Sequence, residues 1–333
     1  MHRSRSIPQH PVLAVPTGAL AILAALAPPS AGQSPSLAWA GQMGGAQEET
    51  GLSTAVDAAG NVYATGIFEG TADFDPGPGV FSLKSAGRND VWITKLDPDG
   101  NLLWAKQFAG GGEESGNSIA VDSTGNVYLS TAFSGSADFD PGPAVLSLAS
   151  AGEHDTAIVK LDRVGSLVWA RQISGPDIVL STSITVDRHG LVYNAGWFTG
   201  TADFDPGAAT FQRTSVGEGD GFCSMLNSRG EFVWAAQIGG PGWDSVWGPR
   251  CGRRGESARY RQLHANGRPR RLYQFVAGDV VRRGRHPHSQ DEQPGRRPRD
   301  VDRRFSIRRL DSVREPRVHR LPHAPTHPRL THA

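Results

Sequence analysis

Hydrophobic residues fall into short runs along the chain, and turns rich in glycine, aspartate and asparagine separate these runs. No stretch repeats its apolar residues at the three-to-four spacing of an amphipathic helix. Runs of this length between glycine turns are typical of antiparallel strands, because glycine readily takes the positive φ that tight turns need. One representative stretch predicts four successive strands: Ser118–Asp122, Val127–Phe133, Thr156–Leu161 and Leu167–Ile173.

This pattern of strands and turns recurs every 65 residues. A tryptophan in the context Leu/Val-Trp-Ala-x-Gln and the motif Asp-Phe-Asp-Pro-Gly both keep that spacing. Self-similarity at a fixed period is the signature of a repeat architecture. The recurring tryptophans are Trp39, Trp104, Trp169 and Trp234, and the motifs start at Asp73, Asp138 and Asp203.

Four antiparallel strands per repeat predict an all-β fold, a β-propeller in which each repeat is one blade. The repeat region is 37–248, with three complete units at 51–110, 116–175 and 181–240. Residues 37–45 then supply a lone closing strand for a blade whose other strands lie at the far end of the chain. Three units predict an incomplete ring. The segment 135–152 makes the unit longer than an ordinary blade and predicts a loop or small extra hairpin.

The repeat resembles the SBBP-type bacterial β-propeller repeat. The resemblance is carried by Ala-Val-Asp-x-x-Gly-Asn-Val-Tyr from Ala55, by Lys-Leu-Asp-x-x-Gly from Lys95 and by the terminal tryptophan strand. The Asp-Phe-Asp-Pro-Gly insert is similar to a variant found in large exported bacterial proteins. The resemblance covers roughly residues 37–248. It implies a propeller and export, and it implies no activity.

The N-terminus has the features of an export signal. His2, Arg3 and Arg5 precede an apolar core over residues 12–27, and small residues follow it around Ser30. We therefore predict a signal peptide over 1–31 and a secreted or cell-surface protein, with no membrane span after cleavage. A retained N-terminal anchor is the alternative. The core is short for a span of about 20 apolar residues, and a proline and a glycine interrupt it.

Charge divides the chain near residue 249. Up to Pro249 there are 12 Lys and Arg against 25 Asp and Glu, whereas Arg250–Ala333 holds 22 Arg, no Lys and 8 acids. With CGN codons for arginine, a shifted reading frame allows Leu-Ala-Val-Asp-Ala-Ala-Gly over 249–255, which is what a fourth repeat requires there. We therefore predict that 249–333 is an irregular tail, translated out of frame.

The alternative for this tail is a basic arm that contacts phosphates of nucleic acid. The absence of lysine and the predicted export both argue against it, so no nucleic-acid partner is expected.

The repeated aspartates are the candidate metal ligands. Alternate carboxylates on an extended loop can point the same way, and Ca²⁺ takes six to eight oxygen ligands. The alternative is that the phenylalanine between them anchors the loop while the aspartates accept backbone N–H groups. The candidates for Ca²⁺, the only cofactor considered, are Asp73, Asp75, Asp138, Asp140, Asp203 and Asp205.

No catalytic residues are predicted. The repeat region has two histidines, His154 and His189, and neither recurs; a Gly-x-Ser-x-Gly elbow and a phosphate-binding glycine loop are absent from the sequence. We expect the repeated tryptophans to pack between blades, and Asp90, Asp155 and Asp220 to act as turn acceptors. The sequence favours a non-catalytic scaffold whose partner is an unknown extracellular protein or glycan. A fragment of a propeller lyase or hydrolase, and a calcium-dependent adhesion or carbohydrate-binding module, are the alternatives.

Overall fold

The computed structural model describes residues 20–23, 38–251, 257–264, 269–276 and 306–309, with side chains over 38–246. All regular elements in these residues are β-strands, which confirms the predicted all-β fold. No helix among them is long and apolar enough to cross a membrane. Two strands precede the first complete repeat: β1 (Leu20–Leu23) and β2 (Ala40–Gly45).

Each complete repeat forms a four-stranded antiparallel sheet, here called a blade, and a short hairpin, here called the insert. Blade 1 is β3 (Glu49–Val56), β4 (Val62–Phe68), β7 (Asp90–Leu96) and β8 (Leu102–Gly110), with the insert β5 (Thr71–Asp73) and β6 (Ser82–Lys84). Blade 2 is β9 (Glu114–Val121), β10 (Val127–Phe133), β13 (Asp155–Leu161) and β14 (Leu167–Ile173), with the insert β11 (Ser136–Asp138) and β12 (Ser147–Ala149). Blade 3 is β15 (Val179–Val186), β16 (Val192–Phe198), β19 (Asp220–Leu226) and β20 (Phe232–Ile238), with the insert β17 (Thr201–Asp203) and β18 (Gln212–Thr214).

The second, third and fourth strands of blade 2 agree with the sequence prediction to within one residue, but the first strand starts earlier. β9 begins at Glu114 instead of Ser118, and its register with β10 shifts between Ser130 and Ala132. The polar start of β9 is strand because it is packed against blade 1. A Cβ on Gly116 would lie 2.3 Å from Oγ1 of Thr65, so only glycine lets these two strands approach so closely.

The insert is a hairpin, as predicted, and it connects neighbouring repeats. β11 pairs antiparallel with β8, the outer strand of the preceding blade, through Ala137 opposite Gly110 and Asp138 opposite Ala109. β5 pairs with β2 in the same way. Thus β2, within the predicted closing strand 37–45, occupies the position of an outer strand. Its other neighbour is β1, which lies within the predicted signal peptide; the rest of that segment is outside the described residues.

A fourth antiparallel sheet follows, formed by β21 (Asp244–Cys251), β22 (Ser257–His264), β23 (Pro269–Val276) and β24 (Ser306–Arg309). The predicted irregular tail is therefore wrong for these described strands. Strand pairing is made by backbone N–H and C=O groups, so a segment beside an open sheet edge can pair without the repeat's side chains. The first two strands also begin 65 residues after β15 and β16.

The blades surround an axis with their first strands innermost, so β3, β9, β15 and β21 are neighbours in that order. The second strand of each blade is the most buried, because both of its faces are covered: every residue of β10 is buried. Large aromatic side chains fill the space between blades, among them Trp92, Phe108 and Phe133, all 0% exposed. The described residues do not close into a ring, in agreement with the predicted incomplete ring.

Candidate functional site

The Asp-Phe-Asp-Pro-Gly motif closes the insert through its carboxylates. Oδ1 of Asp73 accepts the backbone N–H groups of Asp75 at 3.0 Å and of Phe81 at 2.8 Å. Oδ1 of Asp75 accepts the N–H of Gly77 at 2.8 Å. The same bonds recur in the other two repeats, around Asp138 and Asp140 and around Asp203 and Asp205. These aspartates order the loop, because backbone donors would otherwise lack acceptors.

The phenylalanine between the two aspartates anchors each insert. Phe74 is 0% exposed, and its ring meets the ring of Phe68 edge to face with centroids 5.2 Å apart. Phe139 and Phe204 are equally buried. The three aspartate pairs lie in three separate hairpins, and residues 38–246 contain no group of three or more His, Cys, Asp or Glu suited to a metal ion. Calcium binding by these pairs stays a prediction.

The recurring tryptophans pack between repeats, as predicted. The indole Nε1 of Trp169 donates to the carbonyl oxygen of Ser228 at 3.2 Å, and its ring lies over Gly230 in the next blade. Trp39 does the same to Pro98 at 2.9 Å and to Gly100. A Cβ on Gly230 would lie 2.9 Å from the indole, and φ is +75° there, so the turn requires glycine. The tryptophans are structural.

Asp155 is a buried acceptor at the start of the third strand, as expected. Its Oδ2 accepts the N–H of Ala151 at 2.8 Å and the amide of Gln172 at 2.7 Å. Gln172 belongs to the recurring Trp-Ala-x-Gln segment and also donates to the carbonyl of Ala149. The equivalent Asp90 and Asp220 make the same bonds with Gln107 and Gln237.

The best candidate for a binding site is a cavity of about 510 Å³ lined by the inner strands of all three blades. Leu52 on β3, Asn117 on β9 and Thr182 on β15 contribute to its wall from equivalent positions. His154 and Trp197 complete the wall on the side of blade 3. A concave space with a few convergent polar groups is the usual form of a ligand site.

The cavity wall is where the repeats differ from one another. Positions that build the blades carry the same residue in each copy, but the wall carries Leu52, Asn117 and Thr182 at one repeat position and Asn89 and His154 at another. Trp197 replaces an isoleucine and an alanine of the first two repeats. The fold therefore does not dictate these side chains, which leaves them available for recognition.

Glu114 is the most unusual residue of the wall. It is 1% exposed, and neither of its carboxyl oxygens has a hydrogen-bond partner in the described structure. Burial, and after it the negative charge of neighbouring Asp90, raise the pKa of Glu114 to about 8. In the next blade Val179 takes this position, and Oδ1 of Asp155 accepts the N–H of Gly175 at 3.2 Å instead.

Sequence reasoning did not single out this cavity. It selected residues that recur, whereas Glu114, Asn117 and Trp197 belong to positions that vary between copies. His154 was noted only as a histidine that does not recur. The available signal was the opposite one: polar and aromatic residues that break the repeat on an inner strand. His189, expected in a turn and exposed, lies there, and its N–H donates to Oδ1 of Asp187.

Comparison with known proteins places the chain among β-propeller-type repeats. It is 27% identical over 232 residues to the uncharacterised WD repeat-containing protein L264 of Acanthamoeba polyphaga mimivirus, covering 61% of this chain and 17% of that protein. It is 24% identical over 191 residues to the regulatory protein FlaEY of Caulobacter vibrioides, covering 53% of this chain and 19% of that protein. The chain thus spans less than a fifth of either relative. No family model matches it.

Proposed function

We propose that this chain is the propeller part of an exported bacterial protein of the SBBP repeat type, and that it acts as a non-catalytic scaffold. Its partner, an extracellular protein or glycan, would bind in the cavity between the inner strands. The observation that supports this most is the cavity wall, where three nearly identical repeats present different side chains. A reaction centre is not required by any of these residues, and the relatives' names describe repeat and regulatory proteins.

Export is part of the proposal and rests on the signal-like sequence over residues 1–31. Expression of the full chain with a C-terminal tag in a bacterial host tests it. A mature N-terminus near residue 32 in the periplasm or medium is expected. Retention of Met1 in the cytosolic fraction would contradict the proposal.

We also propose that residues 249–333 replace a fourth repeat through a shifted reading frame. The start of β21 and β22 at 65 residues after β15 and β16 supports a repeat that once continued here. Resequencing the gene, together with peptide masses across residue 250, is the test. Peptides that confirm the printed arginine-rich sequence from an intact gene would rule out the frameshift.

The cavity is tested by blocking it. Asn117→Trp fills the space from β9, while Val168→Trp adds the same ring to an exposed position of the outer strand β14 as a control. Wild type and both variants are screened against peptide and glycan arrays. The proposal expects at least one ligand that binds wild type and Val168→Trp but not Asn117→Trp. Ligands insensitive to Asn117→Trp, or none at all, would contradict it.

A further inference from the structure

The cavity wall is rich in acceptors of positive charge. Glu113 and Glu114 contribute two carboxyl groups, and Asn89 and Asn117 contribute amide oxygens. The lining residues of this cavity include neither lysine nor arginine. The nearest described cation is the guanidinium of Arg88, which bonds the exposed carboxylate of Glu113 at 2.9 Å on the surface. The wall therefore attracts cations and repels anions.

The buried carboxyl group of Glu114 lacks a partner of its own. Both oxygens of Glu114, and Oδ1 of Asp90 beside it, are buried without a hydrogen-bond donor. A buried acid without a donor is costly, and it calls for a proton or a cation to compensate it. The fold does not need this carboxyl, since Val179 replaces it at the next boundary between blades.

An aromatic face lies on the other side of the cavity. Trp197 is half-buried, and its ring packs on Trp243 with centroids 4.6 Å apart, which holds its orientation. A tryptophan face is the aromatic surface that interacts best with ammonium and guanidinium groups. Carboxyl groups on one wall and an indole on the opposite wall fit a ligand that is cationic at its tip and carried on an apolar stem, beside Leu52 and Leu180.

We infer that the cavity accepts the cationic side chain of a lysine or arginine from a partner protein, with Glu114 and Trp197 as its main contacts. This inference rests on the proposed function, because it names the chemistry of the partner that the same cavity would hold. A neutral glycan is the competing occupant. It would use the amides and the indole equally well, but it would leave Glu114 without a charge to balance.

Calorimetric titration of the full chain with short peptides tests the inference. The probes are Gly-Gly-Gly-Lys-Gly-Gly-Gly, its arginine counterpart, its Nε-acetyl-lysine counterpart and the neutral sugar chitotriose. The lysine or arginine peptide is expected to bind at least tenfold more tightly than the acetylated peptide. Glu114→Gln, which keeps the shape and removes the charge, is expected to weaken binding tenfold. Glu48→Gln, at an exposed acid outside the cavity wall, is the matched control and is expected to bind like wild type.

The outcomes separate this inference from the proposed function. Equal binding of lysine and acetyl-lysine peptides, or binding of chitotriose alone that Asn117→Trp abolishes, would overturn the inference and leave the scaffold proposal standing. A lysine preference that survives both Asn117→Trp and Glu114→Gln would place the site elsewhere and overturn both. Circular dichroism of each variant, with the β-sheet spectrum of wild type, shows that a loss of binding is not a loss of folding.

Discussion

Replacing Glu114 by valine tests whether a buried carboxyl weakens the boundary between blades 1 and 2. The chain already contains this change at the next boundary, where Val179 occupies the equivalent position. The groups that act on Glu114 are Asp90 and Glu113, both acidic, while Arg88 pairs with Glu113 at the surface. The variant removes one acid from this set and keeps the strand.

The pKa of Glu114 sets the expected sign and size. It is raised from 4.5 to about 8, so the folded protein holds a proton that the unfolded chain has lost between these two values. The free energy of unfolding therefore decreases as pH rises through this window, by at most about 1.4 kcal/mol per pH unit. From pH 5.5 to pH 7.5 we expect wild type to lose roughly 2 kcal/mol from this group, and Glu114→Val to lose none of it.

The assay is urea unfolding followed by tryptophan fluorescence at pH 5.5, 6.5 and 7.5. Glu114→Val should unfold at higher urea than wild type at pH 7.5, and the difference should shrink toward pH 5.5. The reverse change, Val179→Glu, should introduce the same pH dependence beside Asp155. Equal pH dependence in wild type and Glu114→Val would show that this carboxyl is not the source and would refute the reasoning.

Three further predictions concern the blades and inserts. Trp169→Ala removes an indole that is 7% exposed and should lower the free energy of unfolding by about 3–5 kcal/mol, whereas Trp39→Ala, at a half-exposed indole, should cost less; thermal unfolding compares them. Asp138→Ala leaves the N–H groups of Asp140 and Leu146 without their acceptor, at a cost of about 1–3 kcal/mol, and hydrogen exchange at these two amides should accelerate. Calcium binding by the aspartate pairs should give heat on titration with millimolar Ca²⁺; a flat titration would end that prediction.

The fold could be predicted because its determinants are local and repeated. Gly125 and Gly165 mark turns by their positive φ, and the apolar runs between such turns became β10, β13 and β14. The predicted packing of Trp169 was confirmed for the same reason, since a large ring at a fixed interval has to meet an equivalent surface each time.

Two features depend on contacts between repeats and could not be read from one repeat. The strand at Glu114 begins four residues early because Gly116 packs on blade 1, which a hydrophobic pattern does not record. The cavity arises where three inner strands meet, so His154 and Trp197 become neighbours of one space although they belong to different repeats. Comparison of the copies for their differences would have indicated both residues.

The junction between repeats has a consequence for how such a gene changes. Every repeat delivers its tryptophan to the glycine turn ahead of it and receives the insert hairpin of its successor on the same outer strand. Recombination that adds or deletes one cassette of 65 codons therefore regenerates an identical joint, wherever in the array the crossover occurs. A lineage can lengthen or shorten the array in whole cassettes, and each added copy brings a fresh inner strand on which a new specificity can evolve.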